Sequence, residues 1–171
     1  MSKMGGYRGG RPRIGGPRQG DVPIGQSQLA RPPAAIQRTK KRVLFVCIGN
    51  SCRSQMAEGF ARSYGDDILI AASAGLSPAA IVQPLTSQVM AQRNIRLDGQ
   101  FPKGMELLAR EQFDVIVNMS GQKLPLAAGA NVRDWSVRDP IGQSEAIYKA
   151  VAEQIEGLVM RLILELRSST L

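Results

Sequence analysis

Residues 42–60 read RVLFVCIGNSCRSQMAEGF, an apolar run, a glycine-containing turn and a helical spacing in succession. Arg42-Val43-Leu44-Phe45-Val46-Cys47 is a short apolar run rich in β-branched and aromatic side chains, bounded by charge on one side and a glycine-containing turn on the other. That is the pattern of a strand buried on both faces. From Ser54 to Tyr64 the spacing changes: Met56, Phe60 and Tyr64 fall at i, i+4 and i+8, with Glu58 and Arg62 expected on the opposite side. The period is helical, so the turn between Cys47 and Ser54 joins the end of a strand to the start of a helix.

Working outward, the same alternation continues toward the C-terminus. Ile68 to Ala72 reads as a second strand, and Leu85 to Asn94 as a helix opened by Pro84. A short helix over 103–112 precedes a third strand, Phe113 to Met119, and Val132 to Val137 is a weaker fourth. Ile147, Val151, Ile155, Leu158, Leu162 and Leu166 recur at steps of three and four, which predicts a long amphipathic helix at the end. Apolar strands separated by helices imply an α/β fold, an open four-stranded parallel sheet with helices on both faces. In such sheets chemistry sits beyond the carboxyl ends of the strands, here the loops 47–53, 75–82, 120–130 and 138–143.

Toward the N-terminus the pattern stops. Residues 1–41 are expected to be a disordered, basic tail and 42–171 the folded domain. The first 42 residues hold eight of the 18 glycines and five of the ten prolines, too little apolar surface to offset chain entropy. They also hold ten of the 22 Lys and Arg against Asp21 alone, so the chain's +8 divides into +9 here and −1 over the remainder. The basicity belongs to the tail. Arg-Gly stretches bind RNA or acidic surfaces through charge and Arg stacking; the plainer reading is a solubilising extension.

Composition narrows the chemistry. With no histidine, an imidazole base and a Ser-His-Asp triad are excluded, and two cysteines, Cys47 and Cys52, are too few for a zinc cage. No metal or cofactor is expected. Two cysteines five apart are a poor disulfide framework, and neither a signal-peptide core nor an apolar run of membrane-spanning length is seen, so the expectation is a cytoplasmic protein with no membrane partner.

The loop Cys47-Ile48-Gly49-Asn50-Ser51-Cys52-Arg53-Ser54 places a cysteine and an arginine on either side of five residues. Five residues turning into a helix N-terminus can aim successive backbone N–H groups inward as a nest for a tetrahedral oxyanion. Gly49 and Asn50 are the types that tolerate left-handed backbone, Arg53 offers a planar two-pronged fork, and the amides and helix dipole favour a thiolate at Cys47 that Ser54 could hold. Cys47 could instead be a small buried hydrophobe, but that leaves Gly49, Asn50 and Arg53 without a reason. Cys52 could either close a protective disulfide with Cys47 or fill space under the loop.

VLFVCIGNSCRSQMAEGFAR resembles the signature of the low-molecular-weight protein tyrosine phosphatases and their relatives, the thioredoxin-type, thiol-dependent arsenate reductases; so do Ser73-Ala74-Gly75, Asp114 to Met119 and Asp139-Pro140. The resemblance spans about residues 42–166. It implies a flavodoxin-like fold of the phosphotyrosine phosphatase I type, with Cys47 as nucleophile, Arg53 and the loop Ile48, Gly49, Asn50, Ser51, Cys52, Arg53 and Ser54 binding a phosphoryl group, and Asp139 as general acid. The chemistry first expected is hydrolysis of a phosphomonoester, on a phosphorylated protein or small molecule, through a cysteinyl-phosphate. The sequence departs from both patterns. Ser120 stands where the reductases carry a further cysteine, and none occurs after Cys52; no aromatic residue lies between Tyr64 and Phe101 or directly after Asp139-Pro140 to frame a phenol ring. The alternatives are therefore arsenate reduction by an external thiol, and a non-catalytic oxyanion sensor.

Overall fold

A computed structural model describes residues 39–169. The tail expected over residues 1–41 lies, apart from its last three residues, outside the described residues. The chain runs β1 (Lys41–Cys47), α1 (Arg53–Gly65), β2 (Leu69–Gly75), α2 (Pro84–Ala91), a 3₁₀ turn (Met105–Leu108), β3 (Val115–Asn118), β4 (Val132–Asp134) and α3 (Glu145–Ser168). All strands are parallel, in the order β2-β1-β3-β4.

The stretch that opened the sequence reading is the centre of this sheet. β1 pairs over its whole length with β2, from Lys41↔Leu69 to Cys47↔Gly75, and on its other side with β3, from Val43↔Val115 to Val46↔Asn118. Its side chains alternate as a strand requires. Val43, Phe45 and Cys47 face a large core with Met56 and Phe60 of α1 and Ile155, Val159 and Leu162 of α3. Leu44 and Val46 face a smaller cluster with Ala74, Ile116 and Leu124. Truncating Phe45 or Phe60, both fully buried, would cost about 3–5 kcal/mol.

The two faces are covered differently, and the handedness of crossovers explains it. The connection from β1 out to β2 carries α1 over one face. The chain then returns from β2 past β1 to β3; α2 opens that connection still packed with α1 and α3, and its later part crosses to the opposite face, as right-handed connections require. There the cover is the 3₁₀ turn, through Met105 and Leu108, and Leu124 and Leu126 of the segment after β3. α1, α2 and α3 pack on one another over the first face. Among the described residues no helix is long and apolar enough to cross a membrane.

Several sequence boundaries move. The second strand continues through Ser73, Ala74 and Gly75, because its ladder to β1 runs to the last residue of that strand. The helix expected over 103–112 is only the 3₁₀ turn, and β3 and β4 are shorter than the apolar runs that mark them. α2 closes at Ala91, its last turns tied off by Asn94, at φ +60°, with Ile95 N–H bonding back to the Met90 carbonyl, a left-handed cap. Glu58 is the one orientation reversed: expected outside, it is 1% exposed.

Candidate active site

β1 ends at Cys47 and α1 begins at Arg53, so the five residues between them lie at the carboxyl edge of the sheet. The neighbouring strands run β1→β2 one way and β1→β3 the other, which makes this edge the switch point where α/β sheets bind ligands. The loop is built from the inside. Asn50 is fully buried and holds φ +48°, a left-handed conformation that asparagine tolerates better than most residues. Gly49, read from sequence as a second left-handed position, is not one; it packs beside Ala79 and the Ser77 carbonyl.

The Asn50 side chain organises the whole turn. Its Oδ1 accepts the Lys103 backbone N–H at 2.9 Å, which fixes the amide orientation, and its Nδ2 donates to Ser54 Oγ at 2.8 Å and Ser73 Oγ at 2.9 Å. Ser73 in turn donates to the carboxylate of Glu58, whose other oxygen pairs with Arg62. This chain has a chemical consequence at its other end. Ser54 Oγ already accepts from Asn50, so its own proton is free to point at Cys47 Sγ, 3.0 Å away. The Asn50 backbone N–H donates to the same sulfur at 3.3 Å. Two donors thus converge on one sulfur and fix its position at the head of the loop.

Gly75 makes this packing possible. A Cβ there would lie 2.6 Å from the Ile48 carbonyl oxygen and 2.9 Å from Asn50 N, so only glycine lets the end of β2 approach the loop backbone. From below, Gln55 Nε2 donates to the Asn50 carbonyl at 2.9 Å, and Thr86 Oγ1 to the Ser51 carbonyl at 3.1 Å.

Arg53 closes the ring from the β3 side. It is 6% exposed, and Nη1 donates to the carbonyls of Met119 at 2.7 Å and Val137 at 3.1 Å. Nη2 donates to Asp139 Oδ2 at 2.7 Å. With both Nη1 protons spent on backbone, Nε and Nη2 form the fork left for an anion, and Asp139 sits on one prong. The structure thus brings Cys47, Arg53, Ser54 and Asp139 to one edge.

Cys52 is turned away from this group. Its sulfur lies under the loop, 2% exposed, 3.6 Å from Tyr148 Oη and 3.9 Å from Ser51 Oγ. Burial pushes its thiol up, outweighing the hydrogen bonds that oppose it, and burial together with the Cys52 sulfur pushes the Tyr148 phenol up as well. Of its two sequence readings, this placement matches the space-filling one. Lys103, whose backbone anchors Asn50, has its ammonium lowered by burial, with Glu58 opposing.

The sequence reading passed over Glu58, Thr86, Gln55 and Lys103 as parts of this site. Ser73 and Gly75 were noticed as a motif but not as contacts. A buried carboxylate on α1 had one available signal, its position four residues before Arg62.

Fold and loop together define a class, that of α/β proteins with a cysteine-arginine oxyanion loop. A sequence-family model described as low molecular weight phosphotyrosine protein phosphatase matches residues 42–170, and the chain belongs to that family. It is 35% identical over 127 residues to a glutaredoxin arsenate reductase of Synechocystis, covering 72% of this chain and 96% of that protein. A solved structure titled as an arsenate reductase in the phosphate binding state is 34% identical with a TM-score of 0.68, over 74% of this chain and 98% of the other. A low molecular weight protein tyrosine phosphatase from T. tengcongensis is 27% identical with a TM-score of 0.63, over 74% and 99%.

Proposed function

We propose that this protein reduces arsenate, with Cys47 as nucleophile, Arg53 and the loop amides holding the oxyanion, and an external thiol as reductant. The observation that carries this reading is the loop itself, a sulfur held by two donors beside a buried arginine fork, in a chain whose relatives at 34–35% identity bear the name arsenate reductase. Cys47 attacks arsenic and an As–O bond breaks. The departing oxygen leaves as water with a proton from Asp139. Asp139 suits this role by position, because an anion on Nε and Nη2 of Arg53 meets its carboxyl group on the same nitrogen.

No cysteine follows Cys52, and Cys52 is buried on Tyr148, so the reductant comes from outside. An external thiolate attacks Cys47 Sγ, the S–As electron pair stays with arsenic, and arsenite departs. A second thiol then exchanges with the mixed disulfide and restores Cys47. Two thiols are oxidised for each arsenate reduced.

The second reading is phosphomonoester hydrolysis, the activity first expected from sequence. One feature favours it: Phe101, 54% exposed with Lys103 Nζ 4.6 Å from its ring centre, lies two residues from the amide that anchors Asn50, where an aryl group could stack. Purified protein is to be assayed for arsenite formed from arsenate with glutathione or dithiothreitol, and for phosphate released from an aryl phosphate. Thiol-dependent arsenite that vanishes in Cys47→Ser is the expected result. Aryl phosphate turnover without thiol-dependent arsenite would replace it with the hydrolase.

A further inference from the structure

The described part of the molecule has a second concavity at the catalytic edge that the loop chemistry does not use. It is a groove of about 840 Å³ between β4 and the segment following β3, lined by Asn118, Lys123, Leu126, Asp134, Trp135 and Ser136, among others. That volume lies within the range of small-molecule sites. Resting on the arsenate reading above, we infer that this groove binds the reducing thiol, a low-molecular-weight aminothiol peptide carrying both a carboxylate and an amine.

Position is the first argument. Asn118 stands beside Val46 in the sheet, and the next residue, Met119, bonds through its N–H to the Val46 carbonyl at 2.7 Å. The groove therefore begins one strand away from Cys47. The same stretch reaches the site twice more, since Arg53 donates to the carbonyls of Met119 and of Val137, the residue after Ser136. A ligand anchored here by its charged ends would extend its thiol past Met119 and Val137, the residues that Arg53 touches, toward Cys47.

Charge is the second. Lys123 is exposed and makes no ion pair among the described residues, and Asp134, also exposed, accepts only a neutral hydrogen bond, from Asn118 Nδ2 at 2.8 Å. One ammonium and one carboxylate, neither neutralised, face a common space, which suits a ligand with both charges. Trp135, held at 5.9 Å from Phe45, supplies a fixed apolar wall. The mouth is built rather than loose: Ser120 Oγ donates to Asn118 Oδ1 at 2.6 Å and accepts the Gln122 N–H at 3.0 Å. A neighbouring groove of about 800 Å³ fits this ligand poorly. It lies over Leu44, Phe113 and Ile116, and its charged lining is Glu106 and Glu111, the latter paired with Arg42, so its lining offers a carboxylate no free cation.

Trp135 is the chain's one tryptophan, so its fluorescence reports on the groove without any turnover. The full-length protein is titrated with S-methylglutathione, which cannot reduce, in the absence of arsenate. The same protein and Lys123→Glu are then compared in arsenate reduction with glutathione and with uncharged 2-mercaptoethanol. Expected are a saturable change in Trp135 emission that Lys123→Glu weakens at least fivefold, a similar rise in KM for glutathione, and unchanged KM for arsenate and unchanged rates with 2-mercaptoethanol. Circular dichroism confirms that the surface variant is folded. Emission that does not respond, with arsenite formed equally well by both thiols, overturns the groove and leaves the reductase standing. Saturable binding without arsenite from any thiol overturns the reductase and leaves the groove as a thiol-peptide site.

Discussion

Two loops leave the same edge of the sheet, 48–52 after β1 and 121–130 after β3, and they are built on opposite principles. In the first, polar groups are spent on one another: Asn50 alone joins Ser54, Ser73, Lys103 and Gln55, and the residues are buried or half-buried. In the second, the side-chain hydrogen bonds found among the described residues end at Gln122, the backbone adds a bond from Leu126 N–H to the Leu124 carbonyl at 2.9 Å and one from Val132 N–H to the Ala130 carbonyl at 3.0 Å, and most residues from Gln122 to Ala130 are exposed beside open grooves. The difference follows from the strands. β1 is flanked on both sides and can seat a loop against β2, whereas β3 is followed by a three-residue edge strand. The anion site proposed above sits on the first, and the open groove lies by the second.

The largest effect is expected at the sulfur. Cys47→Ser should lower turnover at least about 10⁴-fold, since a hydroxyl is a poor nucleophile at neutral pH. Phosphate affinity, read by calorimetry, should stay within about threefold because the amides remain in place. Arg53→Lys should cost on the order of 10²–10³-fold in kcat/KM, because a point charge cannot hold two backbone carbonyls and an anion together.

Asp139→Asn separates binding from chemistry. It should lower turnover by about 10²-fold and at the same time tighten phosphate inhibition, because a carboxylate no longer faces the anion on Arg53. Loss of turnover with weaker phosphate inhibition would make Asp139 a binding residue rather than the acid.

Gly75→Ala tests the packing of the first loop from outside it. Its methyl would meet backbone at 2.6 Å and 2.9 Å, which cannot give way as a side chain would, so thermal unfolding should report a loss of about 1–3 kcal/mol along with reduced activity. The smallest effect is expected in the second loop. Ser120→Ala removes a hydrogen bond at its exposed mouth and should cost about 1 kcal/mol or less, with arsenate KM unchanged.

Much of the fold was legible because its signals are local. The apolar run of β1, the helical spacing of Met56 and Phe60 and the steps from Ile147 to Leu166 each name an element without reference to the rest of the chain. The candidate loop was legible for the same reason, since Cys47, Asn50, Arg53 and Ser54 lie within eight residues. Weaker reading came where tertiary pairing decides. β2 reaches Gly75 only because β1 offers it a partner to Cys47, and the segment over 103–112 loses its helix because Lys103 and Gly104 are drawn to the loop and to β2.

The order of strands and helices, the cysteine–arginine loop and the lack of any imidazole or later cysteine are legible in the chain alone, because these depend on neighbours along it or on composition. Only the tertiary structure decided how those parts act on one another. Glu58 turns inward because Ser73, fifteen residues away, brings it a hydroxyl, and Arg62 compensates the buried charge. Asp139 meets Arg53 across 86 residues, and Cys52 faces Tyr148 across 96 rather than Cys47 across five. Burial and hydrogen-bond satisfaction are set by the chain's return through space; spacing along the sequence carries no record of which surfaces that return brings together.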